Sequence, residues 1–66
     1  MMQRFRVKLV PIVMSDAEMT VYMYADNENV LYKNFFELLT PYQEKRIRKE
    51  LQCEPNEVMI VMDEHL

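Results

Sequence analysis

Glycine is absent from the 66 residues, and that absence alone removes several kinds of chemistry. Gly-rich phosphate loops, dinucleotide-binding fingerprints and the nucleophile elbow each bring backbone to places where a Cβ would clash. Turns must instead use Ser15-Asp16, Asp26-Asn27 and Pro55-Asn56, residues that close local hydrogen bonds or preset the backbone.

Cysteine is nearly absent. Cys53 stands alone, so no intrachain disulfide can form, and a lone thiol fits a reducing compartment. A cytoplasmic location is therefore expected. No apolar run approaches the roughly 20 residues of a membrane span, so no membrane partner is expected. The first 17 residues combine a basic start with a short apolar run, as signal peptides do. That run, residues 9–14, is too short and contains Pro11.

Soft metal ligands are equally scarce, being Cys53 and His65 alone, whereas a zinc site ordinarily takes four ligands. Asp63-Glu64-His65 reads as a solvated tail that frays, and neither a metal nor a cofactor is expected. Carboxylate pairs such as Asp16 with Glu18, or Asp63 with Glu64, fall at expected turns and ends. General acid–base work needs them in a pocket that shifts their pKa values. Cys53 falls at a helix end whose dipole raises a thiol pKa. No catalytic residue is assigned.

Half of the residues are apolar, including seven Met, three Phe and four Tyr, so the chain has the means to fold. Its length predicts a single domain, residues 1–66, burying only about 60% of its unfolded surface. Such a domain has little core to spare for a deep cavity.

Residues 3–9 alternate strictly, with Phe5, Val7 and Leu9 on one face and Arg4, Arg6 and Lys8 on the other, the period-2 pattern of a half-buried strand. Residues 10–14 are then continuously apolar around Pro11, which implies burial on both sides or a bulge with Pro11 at an edge. The run MTVYMYA, 19–25, completes a hairpin after the polar corner SDAE. Its register has two solutions, because a one-residue slip reverses every side chain. A four-residue loop puts the basic residues beside Val21 and Met23; a three-residue loop puts them beside Tyr22 and Tyr24.

Residues 29–54 organise the rest as two helices meeting at Thr40-Pro41. Leu31, Phe35, Leu38 and Tyr42 share one helical face, widened by Tyr32, Phe36 and Leu39 to an arc of about 160°. Covering one core takes a stripe of roughly 100°, which leaves the Phe36 side over for a partner. Asp26 or Asn27 caps the first helix, while Pro41, with Thr40 and Gln43 as a capping box, starts the second. Ile47 and Leu51 give that second helix a thin apolar line opposite Lys45, Arg46, Arg48 and Lys49. Residues 57–62, EVMIVM, suit a buried or central strand, joining either edge of the hairpin. The expected fold is α+β, in the order β-β-α-α-β: a three-stranded sheet with the helix pair packed on one face.

The chain carries a net charge of −3, yet seven of its eight Lys and Arg lie in two clusters, Arg4-Arg6-Lys8 and Lys45-Arg46-Arg48-Lys49. Segregated charge and surplus apolar residues imply contact surfaces. The primary expectation is a non-enzymatic protein-binding module that occupies a surface on a larger protein. Regulators or inhibitors of larger enzymes, including phage-encoded ones, are often of this size and acidity. Phe36, Val30, Tyr22, Tyr24 and Met23 are the expected contact residues, and a homo-oligomer is compatible with the same surplus. The alternative is a nucleic-acid-binding module using both basic clusters, with the tyrosines stacking bases. Overall acidity weighs against it.

Overall fold

The structure is a computed structural model that describes every residue except Met14, and the backbone alone at Met62 and Asp63. The fold is α+β, a three-stranded antiparallel sheet in the order β2-β1-β3 with short helices packed on one face. The strands are β1 (Gln3–Pro11), β2 (Met19–Ala25) and β3 (Val58–His65).

The alternation of β1 makes it central. Phe5, Val7 and Leu9 are buried, as are their β2 partners Met23, Val21 and Met19. Between the strands, residues 12–18 form a longer connection than expected, with Ser15 Oγ accepting from the Ala17 amide at 3.1 Å. Its odd number of residues has the parity of the three-residue solution, so Arg4 stands opposite Tyr24 and Arg6 opposite Tyr22.

Pro11 ends β1 beside Val58 of β3, two residues beyond the last β2 pair, Leu9 with Met19. The Ile12 amide donates to Glu57 across the β3 side at 2.7 Å. By alternation, the position of the missing Pro11 amide faces the side that β2 no longer occupies, so no ladder bond is lost.

Asn27 caps α1 (Glu28–Lys33), its Oδ1 accepting from the Val30 amide at 2.9 Å. The expected single helix is kinked at Asn34, where the backbone turns to φ −111°, ψ 23° before α2 (Phe35–Leu38). Bonds from Asn34 N to Val30 O and from Leu38 N to Asn34 O, both 3.0 Å, carry the helix across the kink. Asn weakens a helix interior because its side chain competes for backbone groups. Leu31, Phe35 and Leu39 enter the core, and Leu38 packs partly against it. Tyr42 does not follow them: it is 70% exposed, because the chain stops at Leu39 and restarts with a different helix phase.

α3 (Pro41–Arg46) begins with the capping box read from the sequence: Gln43 N donates to Thr40 Oγ1 at 3.1 Å, and Thr40 N to Gln43 Oε1 at 3.0 Å. It widens into a π-helical turn (Ile47–Leu51), from which Ile47 and Leu51 are buried against the sheet. Gln52 then closes the helix in the left-handed region, φ 54°, ψ 39°. Glycine normally takes this position because it has no Cβ to strain. In a chain without glycine, Gln52 bears that strain. A short 3-10 turn (Pro55–Glu57), capped by Glu54, leads into β3.

β3 is an edge strand, not a central one. Ile60 and Val58 pack partly against the core, while Met59 and Val61 remain about half exposed. The helices cover only one sheet face, so a strand apolar on both sides leaves its other side in solvent. The expected frayed tail is instead paired as far as His65. Its ring lies 5.3 Å from that of Phe5, and Glu64 binds Arg6. Among the described residues, no buried side chain is polar or charged, and no helix is long and apolar enough to cross a membrane.

Candidate interaction face

The helices bury the inner side chains of the sheet, so the outer ones define an open face. Period-2 geometry sends Arg4, Arg6 and Lys8 to that face, where cross-strand partners Tyr24, Tyr22 and Thr20 stand beside them. Tyr22 lies on the edge strand β2, opposite Arg6 of the central strand. The Arg4 guanidinium carbon is 5.2 Å from the Tyr22 ring centroid, a cation–π geometry. Both Tyr22 and Tyr24 are about half exposed.

The cations of this face differ in their partners. Arg6 donates to Glu64, reaching from β1 to β3. That hydrogen bond, followed by the Glu64 charge, raises the Arg6 pKa above its already high ordinary value, and the Tyr22 oxygen adds a smaller effect. Lys8 Nζ is 3.7 Å from Glu18. Arg4 has no carboxylate in ion-pair range among the described residues, and its guanidinium lies over the Tyr22 ring.

The second basic cluster lies in the helix layer, on the other side of the sheet. Arg46 Nε donates to Glu50 at 2.6 Å, and Arg48 Nε to Glu54 at 3.1 Å. The Arg46 hydrogen bond holds the Glu50 carboxyl below its ordinary range. Tyr42, Lys45, Arg46, Lys49 and Glu50 line a shallow depression of about 290 Å³. These groups occupy one stripe of a single helix, and the fold does not join them to Arg4, Arg6 and Lys8.

The expected contact residues also divide between layers. Tyr22 and Tyr24 share the open sheet face, whereas Phe36 is about half exposed on α2, its ring edge-on to Phe35 at 5.5 Å. Val30 is partly buried against the core. Met23 is only 2% exposed, which gives it a core role instead of the expected contact role. The same register that exposes the tyrosines turns Met23 inward. Met59, which the expected contact set left out, is half exposed and opposite Val10; its position was hidden because the edge taken by β3 is a non-local choice.

Cys53 is partly buried, and burial, with Glu57 and Glu54 adding to it, pushes its thiol pKa up. An activated nucleophile needs the opposite shift. Comparison of the chain with protein-family models, curated proteins and solved structures finds no match.

Proposed function

We propose that this chain is a non-enzymatic, cytoplasmic protein-binding module that docks through the open sheet face onto a larger protein, acting as a regulator or inhibitor by occupying its surface. One observation carries the reading: Tyr22 and Tyr24 stand half exposed beside Arg4 and Arg6 on a face that no helix covers. Tyr and Arg are enriched among residues that dominate contact energetics, Tyr because it offers large, rigid, amphipathic area at low entropic cost and Arg because its planar guanidinium donates several hydrogen bonds and stacks on aromatic rings. The hydrogen bond to Glu64 also restrains the Arg6 side chain before any partner arrives.

The test is capture by the immobilised domain from cognate lysate, with nuclease and a salt series. A protein retained through nuclease and high salt, and lost with Tyr24→Asp but kept with Phe36→Asp, is expected. Retention unaffected by Tyr24→Asp would overturn this assignment of the face.

The pairing of Tyr22 and Tyr24 with Arg4 and Arg6 also favours a second reading, a platform on which bases of a single strand stack. Net charge −3 and the ion pairs of Arg6, Arg46 and Arg48 weigh against it. It requires capture that nuclease abolishes and that falls steeply with salt. Arg46→Glu with Arg48→Glu should leave such binding intact if the sheet face alone is used.

A further inference from the structure

We propose that β3 is a self-association edge, pairing antiparallel with β3 of a second copy about a dyad between residues 61 and 62 to form a continuous six-stranded sheet. β3 has β1 on one side and no strand on the other. Edge strands expose unpaired main-chain groups and are usually blunted by lysine or other charge, proline, a bulge or a cover; β3 has acidic residues only at its far end and a bulge that a second copy would match. Residues 58–65 contain neither lysine nor proline, and Met59 and Val61 are 48% and 49% exposed. The opposite edge is different, because the Gln43 side chain already occupies the Tyr22 carbonyl of β2 at 2.9 Å.

What singles out a second copy as the occupant is a bulge. Lys8 pairs with Met62 but Leu9 pairs with Ile60, so Val61 is an extra residue in β3. Residues 58 and 60 stand opposite the inner-face residues Pro11 and Leu9, and 63 and 65 opposite the inner-face Val7 and Phe5. Residues 59, 62 and 64 stand opposite the outer-face residues Val10, Lys8 and Arg6, and alternation from 60 adds 61 to them. The alternation therefore slips between 61 and 62. A straight strand laid along this edge would match faces over one half and mismatch them over the other. An antiparallel copy carries the same slip at the same place. About the stated dyad, 58 meets 65, 59 meets 64, 60 meets 63 and 61 meets 62, each pair on a common face.

Hydrogen-bonding directions agree with the same register. The Glu57 carbonyl accepts from Ile12 at 2.7 Å, and the Leu66 amide donates to the Arg4 carbonyl at 2.8 Å, so residues 57 and 66 point at β1. Counting inward from each end, 58, 60, 63 and 65 point at the free edge. The register brings 58 onto 65 and 60 onto 63, outward groups onto outward groups. Charge is compatible too, since Glu64 meets Met59 and His65 meets Val58, with no like charges opposed. The interface is isologous and closed, as a two-fold dimer requires.

The experiment is sedimentation of the full chain from micromolar to millimolar concentration, combined with amide hydrogen exchange. Wild type should shift from 8.1 kDa to twice that mass as concentration rises, and Val61→Lys should stay at the monomer mass with an unchanged circular dichroism spectrum. Tyr24→Asp, on the sheet face, should still dimerise, which separates this inference from the proposed function. In wild type, the amides of Val58, Ile60 and His65 should gain protection with concentration, a readout that needs no variant. A monomer at every concentration, a dimer unmoved by Val61→Lys in a folded protein, or concentration-independent exchange at those amides would overturn the proposal.

Discussion

Gln43 Nε2 donates to the main-chain carbonyl of Tyr22 at 2.9 Å while its Oε1 accepts from the Thr40 amide at 3.0 Å. One side chain thus closes a helix N-terminus and fastens that helix to a sheet edge. The edge residue it grips is one of the two half-exposed tyrosines of the open face, so local capping and the presentation of Tyr22 are mechanically joined.

Gln43→Ala should therefore cost more than loss of half a capping box. Two hydrogen bonds disappear, each worth about 1 kcal/mol net, and the expected destabilisation is about 1–2 kcal/mol in urea unfolding. Gln43→Glu keeps the acceptor for Thr40 but loses the donor to Tyr22, so it should recover part of the loss. Equal stability of wild type and Gln43→Ala would show that the tie to Tyr22 contributes nothing.

Gln52→Gly should stabilise the protein. The left-handed backbone at Gln52 strains a residue with a Cβ by about 1 kcal/mol, and glycine relieves it at some cost in unfolded-state entropy. A rise in thermal midpoint is expected, and a fall would mean that the Gln52 side chain makes contributions beyond its backbone role.

Leu31 and Phe36, one helical turn and a kink apart, should respond oppositely to substitution. Leu31 is fully buried, so Leu31→Ala removes about 2–5 kcal/mol, enough to unfold much of so small a domain. Phe36→Asp, at an exposed position, should stay folded by circular dichroism with a loss below about 1 kcal/mol. Comparable losses for both would place Phe36 in the core.

Acid should weaken the helix layer through Glu50. Its folded pKa lies below the ordinary 4.5 because Arg46 hydrogen-bonds the charged form. The resulting stabilisation is complete above pH 4.5 and disappears as pH falls through the lower folded value. Glu50→Gln should flatten the thermal midpoint against pH profile in that acidic window and leave its slope above pH 5 unchanged, as measured by thermal scans across buffers. A profile with the wild-type slope below pH 4.5 would exclude Glu50 as a contributor.

Local order was legible from residue spacing alone. The alternation of Phe5, Val7 and Leu9, the MTVYMYA strand, the Thr40-Gln43 box and the Ile47-Leu51 line all occur where nearest-neighbour geometry put them, and Asn27 is the one of the two candidates, Asp26 or Asn27, that caps the first helix. Each depends on contacts within about one helical turn or along one strand, so the determinants lie in adjacent residues.

Tertiary structure decided the register that sets Tyr22 and Tyr24 beside Arg4 and Arg6, the inward turn of Met23, the edge position of β3 and its bulge at Val61. These depend on pairing between residues distant in sequence, where a slip of one position exchanges the two faces of a strand at little local cost. Which apolar side chains are core and which are surface follows from that pairing. The charge clusters, one on a strand and one on a helix, were plain in the sequence, but only folding set them on opposite sides of a single core, because the helix layer packs on the sheet face away from Arg4, Arg6 and Lys8.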